Sequence, residues 1–239
     1  MFGYVLRRLL QVIPTLVGIT LLVFVTMRLS GDPIAAYLGS DAADSSVITA
    51  EQEAAIRQHL GLDKPIPVQY LVFLGNAARG DFGNSFIYQN RPATSLLIER
   101  LPATATLAVA ALAVAVLISL PGGVLAAVRR NRWPDTLVNI YSVLGDAMPN
   151  FWLGVMLILL FSVQLGWLPV SGSGSWQHLV LPAVTLGTSM AALQTRLMRT
   201  GLIEALQQDY VRTAHAKGMT PRKVLFKHAL RNAALGYVT

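Results

Sequence analysis

Cysteine is absent from the 239 residues, which excludes disulfides and thiolate metal sites. Histidine is scarce and scattered: His59, His178, His215 and His228 show no HExxH pair or similar ligand spacing, so neither a metal site nor a cofactor is expected. No GxxxxGK[ST] phosphate loop occurs, so ATP hydrolysis is not expected of this chain and no residue is assigned a catalytic role. Charge is also scarce, at 13% of residues against 54% hydrophobic. With a mean hydropathy of +0.52, that balance points to a bilayer rather than water as the solvent. A formal charge of +7 is common in nucleic-acid binders, but in so apolar a chain Lys and Arg are better read as topology signals on cytoplasmic loops.

What the chain has instead is long apolar runs. About 20 mostly apolar residues cross the hydrocarbon as a helix, and Leu9–Leu29 supplies a first span, with Arg28 snorkelling at its outer end. The run is too long for a signal-peptide core of roughly 7–15 residues, and no A-x-A site follows. Residues 101–128 form a second, uncharged span, with Pro121 and Gly122-Gly123 expected to kink its inner end. The uncharged stretch Ala147–Thr195 is long enough for two crossings, turned by LGWLPVSGSGSWQH with Trp167 and Trp176 at the interface. Spans three and four are expected at 149–165 and 179–197, the third preceded by an interfacial helix over Asp135–Ala147.

The charges orient these spans. Residues 30–100 hold five basic and eight acidic residues, a net of −3, whereas Arg196–Arg231 holds eight basic and two acidic, a net of +6. The loop Arg129–Asp135 adds three Arg and one Asp. Basic residues enrich cytoplasmic loops, so the N-terminus is expected in the cytoplasm, 30–100 outside and 200–232 inside. In the outer loop, Thr49 with Gln52 reads as a capping box for a helix through Leu60 ended by Gly61. Pro65 and Pro67 are expected to force an extended turn, and GDFGNSF at Gly80–Phe86 a tight loop over the membrane mouth. The loop is either a structural cap or a docking surface for a substrate-delivering partner.

The basic segment from Asp209 to Ala233 carries the strongest pattern. On a helix over Ile203–Ala216, Ile203, Leu206, Tyr210, Val211 and Ala214 share one face, and Glu204, Gln208, Arg212 and His215 the other. Gly218 suits the C-terminal cap, Thr220 the next N-cap and Pro221 the first helical position. Beyond it Lys223, Lys227 and Arg231 stack opposite Leu225, Phe226 and Ala229. Three readings compete: a DNA-binding helix-turn-helix, which the flanking spans leave little room for; a basic stripe on anionic headgroups; and a cytosolic docking element held between spans, in which small Ala214, Ala216 and Gly218 admit a partner's backbone. Asp146, the acidic group close to a span, either faces water, pairs with an Arg of Arg129–Arg132, or joins Asn150 on a polar path; Asn139 and Gln164 are weaker path candidates.

DYVRTAHAKG followed by HALRNA resembles the cytoplasmic EAAxxxG loop of permease subunits of bacterial ABC importers, specifically the dipeptide/oligopeptide/nickel transport family. RRLLQVIPTL, the GDP of Gly31–Pro33, LGLDKPIPVQY, GDFGNSF, LPATATLA, MPNFWLG and LPAVTLG are similar to that family in the same order, over essentially the whole chain. The resemblance implies an all-α polytopic transmembrane helical bundle with a coupling loop at 200–232. Four spans would lie in this chain, with 233–239 starting a fifth of the family's six. It implies a binding-protein-dependent inner-membrane component that moves peptides, nickel chelates or glutathione by alternating access. The implied partners are a second permease subunit, cytosolic ATP-binding subunits, an external solute-binding protein and the lipid bilayer, with no nucleic acid. It assigns ATPase coupling to Asp209, Tyr210, Arg212, Thr213, Ala214, Ala216, Lys217, Gly218 and Pro221.

Two departures stand out. Arg212-Thr213-Ala214 replaces Glu-Ala-Ala, so no role for that carboxylate carries over, and Leu235-Gly236-Tyr237 stands where a proline is expected. The family continues beyond the position of Thr239, so a truncated gene or an incomplete sequence is expected. Against the resemblance stand a non-ABC secondary transporter, for which no internal repeat is found, and a membrane structural or lipid-binding module.

Overall fold

The computed structural model describes residues 2–29, 54, 57, 58, 62–85, 88 and 91–238. Among these the regular structure is helical, apart from one isolated antiparallel bridge between Asn84 and Pro92. The capping box at Thr49 and Gln52, Gly61 and Phe86 lie outside the described residues. The chain divides into two compact units, 1–101 and 102–239.

In the first unit α1 spans Phe2–Leu29, and an 18-residue stretch within Leu6–Thr26 reaches a mean hydropathy of 2.2. Its threonines do not break the apolar character, because Thr15, Thr20 and Thr26 donate their hydroxyls back to the carbonyls of Gln11, Leu16 and Leu22. Helix α2, Ile66–Ala78, replaces the extended turn expected at the two prolines. Pro65 is indeed extended, but as the N-cap, and Pro67 falls in the first turn, where its missing N–H leaves no bond unmade. Tyr70 fastens α2 to α1, donating to the Val17 carbonyl at 2.9 Å, and its ring lies 5.5 Å from that of Phe24. The GDFG stretch is the tight loop expected: Gly80 and Gly83 take positive φ, and the Gly83 amide donates to Asp81 Oδ1 at 2.9 Å.

Helix α3, Ala93–Val128, runs unbroken through Pro121 and contains the second expected span; an 18-residue stretch within it reaches a mean hydropathy of 2.4. Helix α4, Trp133–Ala147, begins two residues before the expected interfacial helix, with Pro134 in its first turn. Pro149 ends it by forcing Met148 into extended backbone. Helix α5, Asn150–Leu157, then continues as a π-helix over Ile158–Gln164, and the pair α4 and α5 is bent by 104°. Gly166, Gly172 and Gly174, all at positive φ, carry the turn to α6, Trp176–Leu206.

By length and apolarity α1 and α3 can cross a membrane, and the bent α4–α5 pair makes a third candidate if it counts as one span. Helix α6 contains the expected fourth span but is diluted by Gln177, His178, Gln194 and Arg196. Its buried face organises the second unit. Met198, Leu202 and Ala205 pack with Ala127 of α3 and with Ala229 and Ala233 further along the chain. Small residues set the spacing: a Cβ on Gly123 would meet the Met198 side chain at 2.7 Å, and one on Gly187 the Ala111 carbonyl at 2.7 Å. Without water to drive helices together, such close backbone contact supplies the packing attraction.

Candidate coupling elbow and its anchorage

The expected single helix over Ile203–Ala216 is two helices. α6 ends at Leu206, Gln208 is extended at φ −72°, ψ 152°, and α7 runs over Asp209–Ala216. The burial pattern supplies the reason. The turn at Gln207–Gln208 lets Val211 and Ala214 pack onto Val224, with Met219 alongside. Val211, Ala214 and Val224 are 4%, 7% and 1% exposed. Ala214 therefore faces inward, packed in the elbow's own small core.

The turn after α7 is locked by a Schellman motif. The Gly218 amide donates to the His215 carbonyl at 2.9 Å and the Met219 amide to the Ala214 carbonyl at 3.2 Å, with Gly218 at φ +76°. Thr220 takes the expected N-cap position, although its side chain makes no capping bond, and Pro221 opens α8, Pro221–Val224. A π-turn follows over Leu225–Ala229 before α9, Leu230–Val238. That turn splits the apolar face expected opposite Lys223, Lys227 and Arg231. With wider i→i+5 closure, Ala229 is buried while Phe226 is 61% exposed, so the two do not share a face. Lys227 and Arg231 line an open cleft with His228, whose Nε2 is buried without a partner among the described residues.

Asp209, Tyr210, Arg212, Thr213, Ala216, Lys217, Gly218 and Pro221 all present exposed surface. Asp209 sits in the first turn of α7, where a carboxylate complements the helix dipole. Its ion pair with Arg212, at 3.5 Å and almost fully exposed, adds little.

The expected path residues separate. Asp146 pairs with Arg196 of α6 at 3.9 Å, both about half exposed or more, rather than with the Arg129–Arg132 loop. Asn150 lines a cavity of about 400 Å³ between α5 and α6 with Phe151, His178, Leu181 and Thr185; Asp146 is not part of it. Asn139 instead donates to Asp135 at 3.1 Å, and a polar knot of Ser119, Gln194 and Tyr237 ties α3, α6 and α9.

Sequence reasoning missed the acid that is buried. Asp135, 3% exposed in the first turn of α4, receives Arg199 Nε at 2.6 Å and Nη2 at 2.9 Å, and the amide of Asn131 at 2.9 Å. Its only sequence cues are a first-turn Asp after an Arg-rich loop and Asn139 one turn on; nothing local points 64 residues away to Arg199.

Helices long and apolar enough to cross a membrane, and a polar elbow packed on its own small core, mark the chain as a membrane component. Residues 1–108 match the N-terminal family of binding-protein-dependent transport system membrane components. Residues 119–239 match the binding-protein-dependent transport system inner membrane component family. The glutathione transport system permease protein GsiC of Escherichia coli K12 is 43% identical over 240 residues, covering 100% of this chain and 76% of that protein. The same protein in Salmonella typhimurium LT2 and in Shigella dysenteriae shows the same identity and coverage.

The chain belongs to the binding-protein-dependent transport inner-membrane permeases. It is a permease subunit of an ABC importer, a non-catalytic inner-membrane component whose system includes ATPase and binding-protein partners.

Proposed function

We propose that this permease imports glutathione or a similarly small peptide by alternating access, with the exposed face of α7 and the following turn as the seat of the ATPase. The observation that carries the reading is the elbow itself. An eight-residue helix has too little internal bonding to stand alone, yet this one is fixed by a small apolar core beneath and a Schellman turn at its end. A partner pressing on Tyr210, Arg212, Thr213, Ala216, Lys217 or Gly218 would meet a rigid surface, and Asp209, Ala214 and Pro221 hold its shape. A nucleotide-driven engine needs such an element to bias a two-state equilibrium in the membrane.

In this reading spans lie at 9–29, 101–128, 149–165 and 179–197, the N-terminus and residues 200–232 are cytoplasmic, and 233–239 opens a fifth span. A second permease subunit completes the path, to which Asn150 contributes through the α5–α6 cavity, with Asp146 at its margin. The substrate class rests on the name of the glutathione permeases to which the chain is similar.

Ala216→Trp tests the seat, since Ala216 is exposed and lies outside the Val211–Ala214–Val224 core. The importer should purify with its permease folded and its ATPase lost, and glutathione uptake into vesicles should cease. A full ATPase complement with undiminished uptake would place the seat elsewhere.

A further inference from the structure

Directly before the elbow, one short segment of α6 is gripped from three sides. From α3, Gly123 approaches so closely that a Cβ would lie 3.0 Å from the Thr195 carbonyl and 2.7 Å from Met198. From α9, the Ala233 carbonyl would lie 3.6 Å from a Cβ on Gly201. From α4, Asp135 holds Arg199 through two hydrogen bonds. The first two are close-packing contacts, beside the Ser119–Gln194–Tyr237 hydrogen bonds that tie the same three helices. The third is a guanidinium fork on a carboxylate, which fixes both distance and angle.

Asp135 is also fully occupied, by Asn131 and Asn139 as well as Arg199, as a carboxylate removed from water must be. The rest of α4 follows α6 away from this point. Tyr141 donates to the Thr188 carbonyl at 2.9 Å, and a Cβ on Gly145 would meet Ala192 Cβ at 2.8 Å.

We infer that Asp135 and Arg199 are positioning residues for energy coupling: their clasp makes α4 move as one body with the base of the elbow, so that a push on α7 is delivered to the bent α4–α5 pair and not only to α6. The inference rests on the elbow being the ATPase seat. A buried ion pair is a costly way to gain stability, and the α4–α6 seam already has close apolar contacts to hold it together. What the pair adds is a fixed register at the end nearest the input. Separation of the partners would strand a charge, so α4 and α6 either move together or not at all.

The absence of cysteine allows a direct test in the assembled importer with its partners in lipid. Spin labels at Val143→Cys on the exposed side of α4 and Gln207→Cys at the base of the elbow report one distance. In the otherwise unaltered chain a single narrow distance is expected, the same with and without ATP; a shift on adding ATP would overturn the inference. In the Asp135→Asn background the narrow peak should persist without ATP and be lost when ATP is added. An unchanged peak, or one equally broad with and without ATP, would reduce the clasp to packing. If Asp135→Asn does not assemble, Arg199→Lys, which keeps the charge and loses the fork, decides in the same way. The Ala216→Trp result fails independently of this one, because it reads ATPase attachment and not the α4-to-elbow distance.

Discussion

Gly123 of α3 lies against Met198 of α6 with no room for a side chain: a Cβ would come 2.7 Å from both Cβ and Cγ of the methionine. Met198 is fully buried and backed by Leu202 and Ala233. Gly123→Ala should therefore force the two helices apart and destabilise the second unit by about 1–3 kcal/mol, the usual cost of overpacking. Its neighbour supplies the control. A Cβ on Gly122 meets Thr195 Cγ2 at 3.4 Å, an ordinary contact, and Gly122→Ala should be close to neutral. Thermal unfolding of the two variants in detergent compares them directly.

At Gly218 the constraint is backbone and not space, since nothing lies within 4 Å of its missing Cβ while φ is +76°. Gly218→Val should cost the turn roughly 1–2 kcal/mol, and Gly218→Asn noticeably less, because Asn tolerates the left-handed region. Faster amide exchange at Gly218 and Met219 in the valine variant, with near-normal protection in the asparagine one, is the expected signature.

Val224 is the keystone of the elbow core at 1% exposure, touching Val211 and Ala214. Val224→Ala removes two methyl groups and should weaken the elbow by about 2 kcal/mol. Because that core is separate from the Met198 cluster, the loss should be local: proteolysis within 209–224 should accelerate while the main unfolding transition stays put.

Asp146 and Arg196 form an ion pair, but at 3.9 Å and with both side chains at least half exposed it is worth less than about 1 kcal/mol. Asp146→Asn should leave assembly and thermal stability unchanged. Asp135→Asn, which strands a largely buried guanidinium, should lower the midpoint of unfolding in the same assay.

Much of this was legible from residue order alone. The first two apolar runs gave helices long and apolar enough to cross a membrane, because burying backbone in hydrocarbon requires about 20 consecutive apolar residues. Gly218 and Pro221 announced the elbow's turn, since φ above zero and a helix start without an N–H are local requirements that few residues meet. The familial motifs announced the transporter.

What the residue order did not settle were the points where two helices compete for one side chain. The 203–216 pattern reads equally well as one helix or two; burial of Val211 and Ala214 on Val224 chose two. Placing Phe226 and Ala229 on one face assumed 3.6 residues per turn, and the π-turn over Leu225–Ala229 separated them. Pro67 reads as a breaker until the helix it opens is seen.

Composition and local pattern thus determined the solvent, the class and the stiff turn, all of which depend on residues near one another in the chain. Tertiary structure alone decided which carboxylate is buried and what holds it. Asp135 and Asp146 stand near opposite ends of the same helix, α4, and only the close packing of α4 on α6 takes one of them out of water and brings Arg199 to it.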